Sequence, residues 1–263
     1  MDIAEALKAV QERINNSAVK TGRDSDNIRL VAVSKTVELQ RIILAVKAGV
    51  SILGENRVQE AREKISNFKF SASADPLEAS LSEESYRPEA GQITPPIPAL
   101  EKGGVEWHLI GNLQKNKAKT ALQLFDLIHS LDSLSLADVL NNYGRQTGKR
   151  QRILVQVKPL DDVTKHGISE KGLMELVEKI SGMKNLKLEG LMTMPPFFED
   201  PEKTRPYFSR LRQLAEKLSE KGFPVNELSM GMSNDFEVAI EEGATLVRIG
   251  TAIFGKRPSD EIR

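Results

Sequence analysis

The sequence predicts a (β/α)8 barrel formed by a single domain, residues 1–263, and three observations predict it. Short β-rich runs recur about eight times along the chain, segments with helical period separate most of them, and polar residues gather where the runs end. An open doubly wound sheet is permitted by the same alternation, but the strand count favours the barrel. At 263 residues and 40% apolar content, the chain has enough material for a core of that size.

The elements follow in order. Residues 2–20 place Ile3, Leu7, Val10 and Ile14 on one helical face, an amphipathic helix ahead of the first strand. Strands are predicted at 29–34, 51–54, 105–110, 126–129, 152–157, 186–191, 226–229 and 245–249, from runs such as "RLVAVS", "RILVQV" and "TLVRI". Helical periodicity occupies 38–48, 56–66, 113–122, 133–144, 169–181, 202–221 and 234–242. Residues 70–104, rich in Ser, Pro, Glu and Ala, have no sustained period and read as a flexible surface insertion between the second strand's helix and the third strand.

Composition excludes several classes. Lys plus Arg and Asp plus Glu both number 37, so the formal charge is zero and no global field draws the chain to nucleic acid or an anionic membrane. The absence of cysteine removes disulfides, thiolate metal sites and cysteine nucleophiles. No run reaches membrane-spanning length and the N-terminus lacks a signal-peptide core, so a cytoplasmic protein is expected. The three histidines, His108, His129 and His166, have no metal-ligand spacing, and neither a G-x-S-x-G elbow nor a P-loop occurs; no metal is expected. His108 and His129 read as strand-end residues placed to line the cavity, with a structural, hydrogen-bonded role the commoner case.

In a barrel of this kind, chemistry sits at the strand C-terminal ends. Lys35 ends the first run, "LVAVSKT", and a lysine partly desolvated at a barrel mouth is a candidate Schiff-base nucleophile. The loops after strands seven and eight, "SMGMSND" and "RIGT", offer Ser229, Gly231, Ser233, Gly250 and Thr251 to a phosphate, with Ser233 also placed to cap the following helix. An amine and a phosphate site together suit pyridoxal 5'-phosphate. Its ring nitrogen would meet Arg248, which keeps that nitrogen neutral where a carboxylate would protonate it; a strand-end arginine paired with a loop carboxylate is the equal alternative.

The motifs "VAVSKT", "GENRVQE", "WHLIGNLQKNK", "HSLDS", "KHGIS", "GLMTMPP" and the 28-residue "LSMGMSNDFEVAIEEGATLVRIGTAIFG" together resemble the pyridoxal phosphate homeostasis proteins, relatives of the N-terminal barrel of alanine racemase. The resemblance spans nearly the whole chain apart from the insertion. It implies an alanine racemase N-terminal-domain-like barrel with the cofactor as an internal aldimine on Lys35, a contact from Asn56, a phosphate cup of Ser229, Met230, Ser233, Gly250 and Thr251, and Arg248 at the pyridine nitrogen. Two departures stand out: Lys158 replaces the family's usual asparagine after "VQV", and the insertion is atypical.

Racemisation needs a base on each face of the cofactor adduct. The racemase takes its second base from a C-terminal domain, which this sequence, ending at Arg263, is expected to lack, and Tyr86, Tyr143 and Tyr207 fall in the insertion or on helices. The expectation is therefore a monomeric, non-catalytic carrier that buffers pyridoxal phosphate and delivers it to PLP-dependent apoenzymes, with effects on amino-acid balance. A weak PLP-dependent amino-acid racemase and a lysine Schiff-base aldolase are the alternatives.

Overall fold

The computed structural model describes residues 2–73, 104–159 and 166–255. Eight parallel strands close into one barrel in chain order: β1 (Arg29–Val33), β2 (Ile52–Glu55), β3 (Glu106–Leu109), β4 (Leu127–Leu131), β5 (Gln151–Gln156), β6 (Leu186–Met192), β7 (Glu227–Ser229) and β8 (Leu246–Ile249). The closing pair, β1 with β8, runs from Arg29↔Leu246 to Ala32↔Ile249. The barrel prediction holds and the open sheet is excluded, because β8 pairs back onto β1 and all eight strands have neighbours on both edges. Each predicted strand lies within two residues of its place in the structure.

Period-two alternation divides the strand side chains between two apolar layers. Val31, Val33, Ile52, Leu127, Leu154 and Leu246 point into the barrel, while Ala32, Leu53, Ile128, Ile153 and Val247 face the surrounding helices. Two irregularities reset this count. The β5–β6 register steps from Ile153↔Leu188 to Leu154↔Gly190, so Glu189 is an extra residue; Leu188 and Leu191 then both reach the outer layer and Met192 the inner one. A second step separates Ile128 from Leu131 in β4, and both of those side chains pack outward.

The helices are α1 (Ile3–Lys20), α2 (Leu39–Lys47), α3 (Val58–Ser73), α4 (Ala118–Leu124), α5 (Leu134–Thr147), α6 (Glu170–Ser181), α7 (Arg205–Glu220), α8 (Phe236–Glu241) and α9 (Thr251–Phe254). The extra N-terminal helix starts at an Asp2 cap and buries Ile3, Val10 and Ile14. It docks against α8, where Arg13 pairs with Glu237 at 2.6 Å and lies 4.5 Å over the Phe236 ring. Just beyond it, Arg23 donates to the carbonyls of Ile240 and Ala244. The predicted insertion begins too early: residues 70–73 continue α3, and most of the remainder lies outside the described residues. Among the described residues no helix is long and apolar enough to cross a membrane.

Ion pairs close the end of the barrel where the strands begin. Arg29 meets Glu227 at 2.8 Å, and Arg152 bridges Glu106 at 3.0 Å and Glu189 at 2.9 Å. The opposite end, where strands finish, carries the residues singled out in the sequence.

Gly190 is fixed by the neighbouring strand, since a Cβ there would stand 1.9 Å from the Glu227 carbonyl oxygen. Gly190→Ala is expected to separate β6 from β7 and lower the unfolding free energy by about 4 kcal/mol, the range of severe core strain, read as a lower urea midpoint.

Candidate functional site

Lys35 sits in the turn that leaves β1, half-buried at the open end of the barrel. Its neighbour Thr36 has φ +59°, a left-handed conformation that a β-branched residue adopts only when held there, at about 1–3 kcal/mol. The holding groups are on β2 and α3. Glu60 accepts the Thr36 N–H at 2.5 Å; Lys64 donates to the Ser34 carbonyl at 2.6 Å, to Glu60 at 2.6 Å and to Glu55 at 2.9 Å. Glu55 also accepts from the Ser34 hydroxyl at 2.6 Å, and its other oxygen is buried without a partner. Burial drives the Glu55 carboxyl above the ordinary carboxylate range, against the pull of Ser34 and Lys64. Burial acts on Glu60 in the same sense, but bonds from Lys64 and the Thr36 amide prevail and hold it low. The turn that presents Lys35 is thus clamped from beneath on both flanks.

Asn56 follows β2 directly, half-buried, at the same end. Its backbone is pressed against the loop after β3: a Cβ on Gly111 would lie 2.3 Å from the Asn56 carbonyl oxygen, so only glycine admits this approach. The Ser130 hydroxyl, on β4, donates to the Gly111 carbonyl at 2.6 Å and ties a third strand to the pair.

The loops after β7 and β8 lie together. Gly231, at φ +89°, turns the chain past Phe236 and accepts the Arg248 N–H at 3.0 Å. Ser233 does not cap α8 as expected. Asp235 occupies that position and binds back to the Met232 amide at 2.7 Å, while the Ser233 hydroxyl crosses to the neighbouring loop and accepts from the amides of Gly250 and Ala252 at 3.3 and 3.4 Å. The positive-φ turn at Gly231 shifts the helix start and frees the hydroxyl for that contact. Gly250 precedes Thr251, the first residue of α9, whose side chain is half-buried. Met230 is different: its side chain packs in the outer layer and its N–H is committed to the Leu246 carbonyl at 3.1 Å.

Arg248 points inward from β8 and is 3% exposed. It does not pair with a loop carboxylate. It donates to the Ser229 hydroxyl at 2.6 Å and to the Thr193 carbonyl at 3.0 Å. Burial lowers the guanidinium to about 10, with the Asp235 carboxylate opposing, so it stays charged at neutral pH.

The two core histidines do line the barrel interior, but from within β3 and β4 and not from the strand ends. His129 Nδ1 lies 2.8 Å from Ser229 Oγ, its Nε2 lies 3.0 Å from His108 Nδ1, and His108 Nε2 lies 3.0 Å from Glu106 at the closed end. Burial keeps both rings neutral, lowering His129 most; Glu106 works against this at His108 without reversing it. The His108 N–H, joined by Arg152, holds the Glu106 carboxyl down to about 2.

Other motif residues gather beside these. Asn112, Gln114, Lys115, Asp132 and Ser133, with His166, line an open cleft of about 510 Å³ between the loops after β3 and β4. Lys158, which follows "VQV", makes a backbone bridge to Ile168, and Gly167 allows that approach. The residue before His166 in "KHGIS", Lys165, lies outside the described residues, as does Tyr86. Sequence reading passed over Glu55, Glu60 and Lys64, although Glu60 and Lys64 have the spacing of a helical ion pair.

Residues 6–258 match the family described as alanine racemase, N-terminal domain. A pyridoxal phosphate homeostasis protein of Aquifex aeolicus is 39% identical over 258 residues, which is 98% of this chain and 99% of that one. The structure of PipY from Synechococcus elongatus PCC7942 with PLP bound superposes with a TM-score of 0.74 at 29% identity, covering 96% of this chain and all of PipY. Alanine racemase of Clostridium difficile 630 shares the fold, with a TM-score of 0.64 at 16% identity over 99% of this chain and 58% of the racemase.

Removing Lys64 takes away the cation that pairs with buried Glu55. Lys64→Met is expected to cost about 3–5 kcal/mol in urea unfolding. Since the Glu55 carboxyl is raised, that cost grows as pH rises through its folded value, and Lys64→Met combined with Glu55→Gln recovers most of it. Glu106 has the opposite sign. Its carboxyl is depressed to about 2, so its contribution is present above its usual value of 4.5 and is lost as pH falls toward 2. The stability difference between the native chain and Glu106→Gln should shrink over that interval in acid-unfolding curves.

Proposed function

The chain belongs to the alanine racemase N-terminal domain family, and from that premise we propose that it binds pyridoxal 5'-phosphate on Lys35, holds it without turning over a substrate, and supplies it to PLP-dependent apoenzymes. The setting we propose is a cytoplasmic monomer acting in cofactor homeostasis. Full-length likeness to proteins named for pyridoxal phosphate homeostasis, and to PipY with PLP bound, supports the reading.

The donor set fits the cofactor's chemistry. Lys35 supplies a primary amine for the aldehyde. Ser233, the Gly250 and Ala252 amides and the Thr251 hydroxyl form a cup in which the present contacts, 3.3 and 3.4 Å, are at the outer limit for a hydrogen bond; phosphate oxygens would satisfy the same amides better. Asn56 adds a side-chain amide from β2. Met230 is the weakest of the expected contacts, because its N–H is already spent and only its carbonyl, an acceptor, remains. Ser229 acts through Arg248.

The observation that carries the non-catalytic reading is the buried, charged Arg248 held by neutral oxygens. Bound pyridoxal phosphate supplies a reactive aldehyde and a ring that accepts electrons when its nitrogen is protonated. A guanidinium has only donors, so it meets an unprotonated nitrogen and leaves that ring a poor sink. Nor do the two described tyrosines offer a second base at the barrel interior: Tyr143 packs against the outer core and Tyr207 lies 6.0 Å from the Phe198 ring, both on outer helices.

Absorption spectroscopy with borohydride trapping tests this. Added pyridoxal phosphate should give a visible band that bleaches on reduction and leaves a pyridoxyl group on the peptide containing Lys35, whereas Lys35→Ala should lose the band. Free amino acids incubated with the loaded protein in deuterated water should keep their α-hydrogens. An unaltered band in Lys35→Ala, or exchange at an enzymatic rate, would contradict the proposal.

A further inference from the structure

A line of hydrogen bonds crosses the whole barrel interior, from Glu106 at the closed end through His108, His129 and Ser229 to Arg248. The chemistry of its two ends decides where every proton on it must lie. Arg248 can only donate, so the Ser229 oxygen accepts from it and the single Ser229 proton is left for His129 Nδ1. His129 then carries its own proton on Nε2 and gives it to His108 Nδ1. His108 in turn carries its proton on Nε2 and gives it to the Glu106 carboxylate, which can only accept. Every bond is made once, with both rings neutral.

The other arrangements fail. With the proton of His129 on Nδ1, the sequence reverses and a bare His108 nitrogen faces the Glu106 carboxylate. With either ring doubly protonated, a further buried cation joins Arg248, Arg29 and Arg152, the positive groups facing these rings; the acids set against them are Glu106, Glu189, Glu227 and Asp235. His108, His129 and Ser229 are fully buried, so water cannot relieve a mismatched bond.

We propose that Glu106, His108, His129 and Ser229 are positioning residues: they form one polarised chain that locks both histidines as neutral Nε2–H tautomers and fixes Arg248 as a donor at the ring nitrogen of the cofactor. Ser229 takes one N–H from one terminal nitrogen of the guanidinium and the Thr193 carbonyl one from the other, which leaves the rest of the fork for that nitrogen. The last clause rests on the placing of pyridoxal phosphate proposed above; the tautomers do not. Identity at the closed end of the barrel thereby reaches the open end with no movement of the backbone.

Nitrogen NMR of the full chain labelled at histidine tests the two parts separately. There are only three histidines, so His166→Gln assigns the spectrum by subtraction. From about pH 5.5 to about pH 8.5, His108 and His129 should each show a proton-bearing Nε2 and a bare Nδ1, without added cofactor. A doubly protonated ring, or an Nδ1–H pattern on either, would overturn the lock. Glu106→Gln ends the chain in a group that can donate as well as accept. It should mix the two tautomers in the same spectra and shift the pH midpoint of the absorption of bound pyridoxal phosphate. A Glu106→Gln protein that folds, binds the cofactor and matches the native chain in both measurements would overturn the positioning role. Failure of the native chain to take up pyridoxal phosphate, with the tautomers as stated, would instead defeat the proposed function and leave the lock standing.

Discussion

A guanidinium buried inside an eight-stranded barrel is the constraint around which the interior is arranged. Taking an unpaired charge out of water costs several kcal/mol, and no described carboxylate pairs with Arg248 directly. The compensation is distributed. Two neutral oxygens hold the terminal nitrogens, the Asp235 carboxylate lies near enough to favour the charged form, and the histidine line points its lone pairs toward the donors and its protons toward Glu106. The acid and base layer at the closed end, with Arg152 between Glu106 and Glu189, anchors the far terminus. An inner layer of this kind sets the strand residues as firmly as apolar packing does, because each polar side chain has a partner on a different strand.

The open end is built on a different plan. Lys35 and Asn56 are placed by backbone fixed from outside the barrel, through the Glu55, Glu60 and Lys64 cluster and the close contact at Gly111. Ser233 and the amides near Gly250 are held only by long contacts to one another. On the proposed function, a fixed turn at Lys35 and a fixed Arg248, combined with amides whose present contacts are long, suit reversible holding: a bound phosphate would gain amides that cost little to release. The strained Thr36 turn belongs to this arrangement, since Glu60 accepts its N–H.

Strand and helix positions were readable because apolar period and turn residues are local properties, and strands within two residues of their observed ends followed from "RLVAVS", "RILVQV" and "TLVRI" alone. Lys35, Asn56, Ser233, Arg248 and Thr251 all fall at the strand-end or adjoining loop positions that the barrel count assigned to them. The histidine line was partly visible too: His108 stands two residues before Ile110 and His129 two after Leu127, which puts all four on the inner face. Its pairing was not, because it depends on cross-strand register, and the steps in β4–β5 and β5–β6 leave no mark in a single sequence. The expected Ser233 cap failed for a related reason. A capping motif can be recognised along the chain, but the competing amides of Gly250 and Ala252 come from a loop brought alongside only by barrel closure.

The central claim is that a charged Arg248 meets an unprotonated ring nitrogen, so that the cofactor is held and not used. Nitrogen NMR of pyridoxal phosphate labelled at the ring nitrogen and bound to the native chain measures this directly. The account predicts the signal of a neutral, hydrogen-bonded pyridine nitrogen that stays unprotonated across neutral pH and changes when Arg248→Gln removes the charge. A pyridinium signal in the native protein would contradict it.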